Sequence, residues 1–107
     1  MTNVNSADLN GAALDWAVAL ATGKEQLDFS TNWSQGGPLI DEYNVSIIKE
    51  DGEDKCAAYI DLYVYYEKWD YAAVGLGQTR LIAAMRCIVI RRLGETVEVP
   101  AELLTQK

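Results

Sequence analysis

Two apolar runs with helical spacing lie near the two ends of the chain. The first extends from Gly11 to Thr22 and is rich in alanine, with Asp15 as its only charged residue. Asn10 precedes the run as a candidate N-cap, and Gly23 follows it as a left-handed stop. A helix with so little polar surface must be largely covered by other parts of the protein.

The second run is predicted to form a helix that begins after Thr79, its candidate N-cap, and ends at Leu93 before Gly94. At about 100° per residue, its large apolar side chains gather on one broad face. These side chains are Leu81, Ile82, Met85, Ile88, Val89 and Leu93. We expect this face to lie on a sheet.

The middle of the chain alternates between apolar and polar residues, which is typical of strands. Tyr43–Ile47 and the longer stretch Cys56–Tyr66 show this pattern, and the Asp51-Gly52 step between them favours a tight hairpin. The two strands are therefore predicted to pair antiparallel. The longer strand is predicted to direct its aliphatic side chains into the core, namely Ala58, Ile60, Leu62 and Val64.

Other segments are predicted to be irregular or short. Lys24–Gln35 mixes charged, aromatic and small polar residues, and the Gly36–Pro38 step should break any regular element. We expect a structured loop or an irregular strand there. Glu67–Tyr71 is predicted to leave the strand, whereas Val97–Val99 is predicted to form a short strand before a terminal turn.

These elements describe a two-layer α+β fold in which two apolar helices pack on an antiparallel β-sheet. The chain has 107 residues, of which 50% are hydrophobic. A chain of this size can bury a core without a disulfide or a structural metal. No linker or repeat divides it, so residues 1–107 are predicted to form a single domain.

Charge and composition exclude several classes of function. Sixteen acidic residues against nine basic ones give a net charge of -7, which makes direct binding to nucleic acid or to an anionic membrane unfavourable. The chain contains no histidine, so histidine-based catalysis and the commonest transition-metal ligand are lacking. Cys56 and Cys87 lie among apolar residues and are expected to be reduced core side chains. We predict no catalytic residue, no metal and no cofactor.

The start of the chain bears on where the protein acts. Met1–Ser6 lacks the basic and apolar regions of a signal peptide, and no apolar run approaches the roughly 18 residues that a membrane span needs. We therefore expect a cytoplasmic protein with no membrane partner.

Aromatic residues are concentrated between Tyr59 and Tyr71, a stretch that holds six of the ten in the chain. Tyr63, Trp69 and Tyr71 are candidate binding residues, because flat rings with polar tips suit a partner protein, a sugar or a nucleobase. Tyrosine is also an ordinary strand residue, so these side chains equally suit the covering of a sheet face or a homo-oligomer contact.

The glycine-rich segment 32–38 is a second candidate site. Paired glycines let backbone N–H groups approach an anion, and the candidate binding residues there are Asn32, Trp33, Gln35, Gly36 and Gly37. The segment lacks the lysine and the spacing of a P-loop. A purely structural turn is the alternative interpretation.

Four arginines fall in the second helix, with no acidic residue from position 72 to position 94. Their helical phases scatter, so they form no single cationic stripe for nucleic acid. Arg91 and Arg92 are expected to complement the negative end of the helix. Arg80 and Arg86 are expected to pair with surplus acidic side chains.

Several segments, taken in order, carry a resemblance to a known family: Leu9–Ala19, Ser30–Ile40, Thr79–Cys87, Leu93-Gly94 and Val97–Pro100. In order and spacing they resemble the phage NinX-like family, small proteins of unknown function encoded by tailed phages and prophages. The resemblance implies a phage accessory protein that acts in the bacterial cytoplasm. It implies no established activity, cofactor or catalytic residue.

The glycine-rich segment and the start of the second helix are the parts most recognisable as this family. If the two segments pack together, one pocket would hold Asn32, Trp33, Gln35, Thr79 and Arg80. This shared pocket is a hypothesis about the three-dimensional arrangement.

Three functions are compatible with the sequence. The first is a non-enzymatic interaction protein, which binds a host or phage protein through the aromatic sheet face or the Trp33 segment and self-associates. The second is a binder of a nucleotide or another small anion, or a carboxylate-based enzyme, with its pocket near Trp33. The third is an acidic decoy that mimics DNA, which requires acidic residues spaced like phosphates on one face. We favour the first.

Overall fold

The computed structural model describes residues 1–49, 55–64 and 68–104; for residues 61–64 and 68–72 the description covers the backbone alone. The helices are α1 (Gly11–Thr22), α2 (Trp33–Glu42) and α3 (Arg80–Leu93), with 3₁₀ turns at Ser6–Asp8 and Ala101–Leu103. The strands are β1 (Thr2–Asn5), β2 (Ser46–Ile48), β3 (Cys56–Val64), β4 (Lys68–Gly77) and β5 (Thr96–Val99).

The described strands form two antiparallel sheets. β1 pairs with β5, which places Thr2 opposite Val99. The other sheet has the order β2–β3–β4. The predicted antiparallel pairing of the two central strands is confirmed for β2 and β3, whereas the Asp51-Gly52 step proposed to connect them lies outside the described residues.

Helix α3 is at the centre of the core. It packs against β3 and β4 of the three-stranded sheet and also against α1. Its buried residues are Leu81, Ala83, Ala84, Met85, Cys87, Ile88 and Val89. Helix α1 contributes Ala13, Leu14, Ala17 and Val18 to the same cluster. The predicted α+β class, with helices packed on an antiparallel sheet, is confirmed.

The ends of α1 and α3 lie where the sequence predicts them. The Thr79 side chain accepts the backbone N–H of Ile82 at 3.1 Å, which satisfies one free donor of the first turn of α3. Gly23 and Gly94 end the two helices with φ angles of 70° and 95°, values that favour glycine. Asn10 occupies the N-cap position of α1, but its side chain makes no capping hydrogen bond.

Residues 24–32 are irregular as predicted, but the predicted break at Gly36–Pro38 is wrong, because Trp33–Glu42 form α2. Asn32 caps the helix, because its side-chain oxygen accepts the N–H of Ser34 at 2.9 Å. Close packing requires Gly36, since a Cβ there would overlap the carbonyl oxygen of Phe29 and lie 2.7 Å from the Leu81 side chain. Tertiary packing therefore outweighs the low helix propensity of two glycines and a proline.

The strands also differ from the prediction. Residues 68–71 belong to β4, so the prediction that Glu67–Tyr71 leaves the strand is wrong for the described part of that segment. β1 is an unpredicted strand. β2 begins at Ser46 rather than Tyr43. The pairing of β3 with β4 is regular from Cys56 to Ile60 and shifts by one residue immediately afterwards, which is a β-bulge.

Candidate functional site

Alternation along the strands gives the three-stranded sheet two different faces. The inner face, towards α3, holds the buried residues Cys56, Ala58, Ile60, Ala73, Gly75 and Gly77. The prediction that Ala58 and Ile60 enter the core is confirmed, whereas the side chains of Leu62 and Val64 lie outside the described part of the chain. The inner face is thus built mainly from small residues.

The outer face of the same sheet carries exposed aliphatic side chains. Ile48, Ala57 and Leu76 lie in one row across the three strands, and Ser46, Tyr59 and Val74 lie in the next. The exposed fractions are 49% for Ile48, 44% for Val74 and 52% for Leu76. We call five of these residues the outer patch: Ile48, Ala57, Tyr59, Val74 and Leu76. A continuous apolar surface of this kind is typical of an interaction site.

The structure describes only the backbone of the predicted aromatic site at Tyr63, Trp69 and Tyr71. The backbones of Tyr63 and Trp69 lie opposite each other in the β3–β4 pairing, and Tyr71 lies opposite Asp61. Their side chains fall outside the described part, so their role in binding stays a prediction. Tyr59 lies in the outer patch and is half-buried.

The candidate residues of the glycine-rich segment lie on the first turns of α2. Trp33 is the first residue of the helix and is 55% exposed. Asn32 is committed to local structure, because it caps Ser34 and also donates to a carboxylate oxygen of Asp28 at 3.3 Å. Gln35 and Gly37 are half-buried. The backbone N–H groups that an anion would need belong here to a capped helix rather than to an open loop.

The hypothesis of one shared pocket requires α2 and the start of α3 to be neighbours. Gly36 packs against Leu81, so the first turns of the two helices are in contact. Thr79 and Arg80, which precede Leu81, are exposed. A common binding pocket for Trp33, Thr79 and Arg80 stays a prediction.

Two clefts lie elsewhere, between β4, α3 and the residues that precede α1. The first has a volume of about 560 Å³ and is lined by Ala7, Asp8, Asn10, Lys55, Val74, Leu76, Gly77, Gln78, Ile82 and Arg86. The second has a volume of about 610 Å³ and is lined by Asn5, Ala7, Asp8, Ala73, Val74, Ile90 and Glu95. Neither cleft is lined by Trp33 or Thr79, and both border the outer patch at Val74.

Arg86 organises the first cleft. Its guanidinium donates to the carbonyl oxygens of Leu9 and Leu76, at 2.8 and 2.7 Å, and to the side-chain oxygen of Asn10 at 3.1 Å. Burial lowers the pKa of Arg86, and Asp8 opposes this by raising it. The expectation that Arg86 pairs with an acidic side chain is therefore wrong in its main contacts, which are with neutral oxygens. The sequence feature that indicates such a role for Arg86 is its position inside an apolar helix with no acidic residue nearby.

One carboxylate is buried away from these clefts. Asp15 of α1 accepts the backbone N–H of Ser30 at 2.8 Å, so it holds the segment before α2 against α1. Burial raises the pKa of Asp15, and the hydrogen bonds from Ser30 only partly offset this effect. In the described part of the chain, no group of three or more Cys, Asp or Glu side chains is placed to hold a metal ion.

No helix among the described residues is long and apolar enough to span a membrane. Among curated proteins, none matches this chain in sequence. The family described as "Bacteriophage P22, NinX" matches residues 24–92. The matched range contains α2, the three-stranded sheet and most of α3, and it contains the outer patch. This confirms the resemblance carried by Ser30–Ile40 and Thr79–Cys87. The chain belongs to the bacteriophage P22 NinX family and is therefore a phage accessory protein.

Proposed function

We propose that this phage accessory protein is a non-enzymatic interaction module, which binds a host or phage protein through the outer patch. The observation that carries the proposal is the exposure of Ile48, Val74 and Leu76 on one sheet face. Burial of apolar surface is the main driving force of protein association, and it contributes about 25 cal/mol per Å² of surface removed from water. A partner that covers this face would gain that free energy.

The arrangement of the patch also supports the proposal. Its aliphatic side chains come from all three strands, so they are held on a rigid sheet rather than on a loop. A rigid apolar surface loses little conformational entropy when a partner binds. Tyr59 adds an aromatic group of the type enriched at protein interfaces.

The test compares variants of the patch with a matched surface control. Ile48→Thr and Leu76→Thr keep a strand-forming residue but remove apolar surface. Leu20→Gln removes an apolar side chain that is 55% exposed on α1, away from the sheet. Each tagged variant would be used for affinity capture from infected cells, with quantitative mass spectrometry.

We expect the patch variants to lose one or more proteins that the unchanged protein and Leu20→Gln both capture. Light scattering on the purified variants measures self-association. The patch variants should also reduce it if two copies meet on this face. Equal capture by all variants would contradict the proposal.

A small-anion binder is the second candidate, and the first cleft favours it because Lys55 and Arg86 both line the space. Arg86 already donates to three internal oxygens, which makes this candidate weaker. A thermal-shift screen with nucleotides and inorganic phosphate decides it. A saturable rise in Tm that Lys55→Met abolishes would support an anion site, and no rise would exclude affinity at the tested concentrations.

A further inference from the structure

The free edge of β4 faces the two clefts. β4 is the last strand in the order β2–β3–β4, and its Leu76 carbonyl points away from β3, since it accepts from Arg86. Peptide groups alternate between the two edges of a strand, and the pairing here is regular from Ala73 to Gly77. The N–H and C=O groups of Val74 therefore face the same free edge as Leu76.

Because these two groups face away from β3, they take no part in the β3–β4 pairing, and no backbone hydrogen bond outside the strand pairing reaches them among the described residues. The carbonyl of Leu76, by contrast, is covered by Arg86. An unpaired strand edge is a template on which another extended chain can pair. The template here is short and is centred on Val74.

The two clefts form a groove along this edge, because they share Ala7, Asp8 and Val74. Ile82, Arg86 and Ile90 line the groove from α3, and their spacing of four residues places them on one stripe of the helix. An extended segment in this groove would have the β4 edge on one side, with the half-buried Ile82 and Ile90 beneath it and Arg86 between them.

The charge of the groove indicates what kind of segment fits. Around the second cleft the charged side chains are Asp8 and Glu95, both acidic and exposed. Neither of them forms an ion pair among the described residues. The whole chain adds a net charge of -7. Basic residues of a bound segment are therefore attracted to this end of the groove, whereas Lys55 and Arg86 make the other end basic.

We propose that the groove binds an extended segment of a partner protein, which pairs with β4 at Val74 by strand addition and places its basic residues at the end near Glu95. This proposal rests on the function as an interaction module and adds the chemistry of the partner. Main-chain hydrogen bonds at Val74 supply affinity in this mode of recognition, and alternate side chains supply specificity. A second copy of this chain fits less well, because it would bring together two molecules of net charge -7.

The probe is a fluorescein-labelled peptide of seven residues with valine at alternate positions, in which lysine fills the positions between the valines in one half and serine fills them in the other. One control peptide replaces lysine with glutamate, and a second carries N-methyl groups on alternate residues, which removes the N–H donors needed for strand pairing. Fluorescence anisotropy measures binding. We expect each control peptide to bind at least about tenfold more weakly than the probe, the effect of losing one charged or several neutral hydrogen bonds.

Variants of the protein test the placement. Val74→Pro removes the edge N–H, and proline is tolerated on an edge strand where that N–H faces outward. Val74→Ala trims the same outer-patch side chain but keeps the N–H, so it is the control and should bind the probe nearly as well as the unchanged protein. The pair Asp8→Asn and Glu95→Gln removes the acidic end of the groove without touching β4. Its matched control, Glu25→Gln with Asp41→Asn, removes the same charge from exposed positions elsewhere. We expect roughly fivefold or greater weakening from Val74→Pro and from the groove pair, and less than twofold from the control pair.

Amide hydrogen exchange gives a readout that does not depend on any variant. Exchange at the Val74 N–H should slow at least about tenfold in the peptide complex, because the group becomes hydrogen-bonded. Equal binding by the N-methylated peptide, or unchanged exchange at Val74, would overturn the proposal. Strand addition also fails if neither the probe nor its controls bind. If capture of cellular partners depends on Ile48 and Leu76 but not on Val74→Pro or the groove pair, strand addition is wrong and the outer patch still functions.

Discussion

The larger apolar side chains of a sheet usually face the core, but the two faces of this three-stranded sheet show the opposite arrangement. The inner face, which α3 covers, is built largely from alanine, cysteine and glycine, whereas the outer face carries Ile48, Val74 and Leu76. Among the described side chains of β4, the larger apolar ones, Val74 and Leu76, are therefore the exposed ones.

The reason is the short distance between α3 and β4. A Cβ at Gly75 would lie 2.5 Å from both the Ala83 carbonyl oxygen and the Cys87 nitrogen, so the helix backbone itself occupies that space. Gly77 is similarly close to Ala83. Burial in this sheet therefore comes from the close approach of the helix backbone on the inner face, and the outer face keeps apolar surface that a partner can cover.

The largest effect should follow from filling the inner face. Gly75→Ala places a Cβ against the α3 backbone, which cannot move as a side-chain tip can, so we expect a loss of about 3 kcal/mol in the free energy of unfolding. Urea denaturation measures it. Gly37→Ala is the control, because its Cβ would lie at an ordinary 3.5 Å from the Trp33 ring in α2. That control should be neutral or stabilising by up to about 1 kcal/mol. Equal stabilities for the two variants would contradict the close approach.

The next largest loss of stability should follow from changing Arg86, which bonds to the free edge of β4 where the inner and outer faces meet. Arg86→Lys keeps the charge but cannot donate to Leu9, Asn10 and Leu76 together. We expect a loss of about 2 kcal/mol in the free energy of unfolding, since three hydrogen bonds from a charged group are broken or weakened. Denaturation of Arg80→Lys, an exposed arginine on the same helix, should show a change below about 0.5 kcal/mol. A similar loss in both variants would show that Arg86 does not hold the edge of β4.

A pH titration of stability tests whether water reaches the Cys87 thiol on the inner side of the sheet. Burial raises the pKa of the Cys87 thiol to about 11, from an ordinary value of 9.0. Between these values the unfolded chain releases the proton before the folded protein does, so the free energy of unfolding falls as the pH rises from 9 to 11. We expect Cys87 to contribute a fall of no more than about 2 kcal/mol.

The matched variant is Cys87→Ser, which is nearly isosteric and does not titrate in this range. The difference in stability between the unchanged protein and this variant isolates the thiol from tyrosines and lysines. A difference that stays constant from pH 8 to pH 11 would mean that the thiol is hydrated in the folded protein.

The smallest effect on stability should come from the outer patch. Leu76→Thr removes a side chain that is half-exposed, so the free energy of unfolding should change by less than about 0.5 kcal/mol. Leu39→Thr in α2 removes a side chain that is 2% exposed and should cost about 3 kcal/mol. Denaturation of both variants tests the contrast. A large loss for Leu76→Thr would show that something covers the outer face in the free protein.

Much of the fold was predictable where local signals and packing agree. Thr79, Gly23 and Gly94 mark helix ends through their own side-chain or backbone chemistry. Alternation in β3 identifies the core residues Ala58 and Ile60. These features depend on neighbours within a few positions, and a single sequence contains that information.

The failures have a common physical cause in contacts between distant residues. Gly36 favours a loop by propensity, but it is placed in a helix so that Phe29 and Leu81 can approach. From Ala73 to Gly77, β4 shows no alternation of polar and apolar residues, because its inner residues are alanine and glycine and its outer ones are aliphatic. The groove beside β4 depends on Arg86 contacting Leu9, 77 positions away. No local pattern reports such a contact.

The pairing of β1 with β5 has a consequence for the order of events during synthesis. Thr2 lies opposite Val99, and the Ser6 hydroxyl donates to the Gly94 carbonyl at 2.7 Å. These contacts close a loop of nearly the whole chain, which carries a large entropy cost and is expected to come late in folding. A nascent chain therefore cannot pair β1 with β5, or satisfy the Ser6 hydroxyl, until the residues up to Val99 have left the ribosome. The two-stranded sheet therefore forms after the segments of α1, the three-stranded sheet and α3 have all been synthesised.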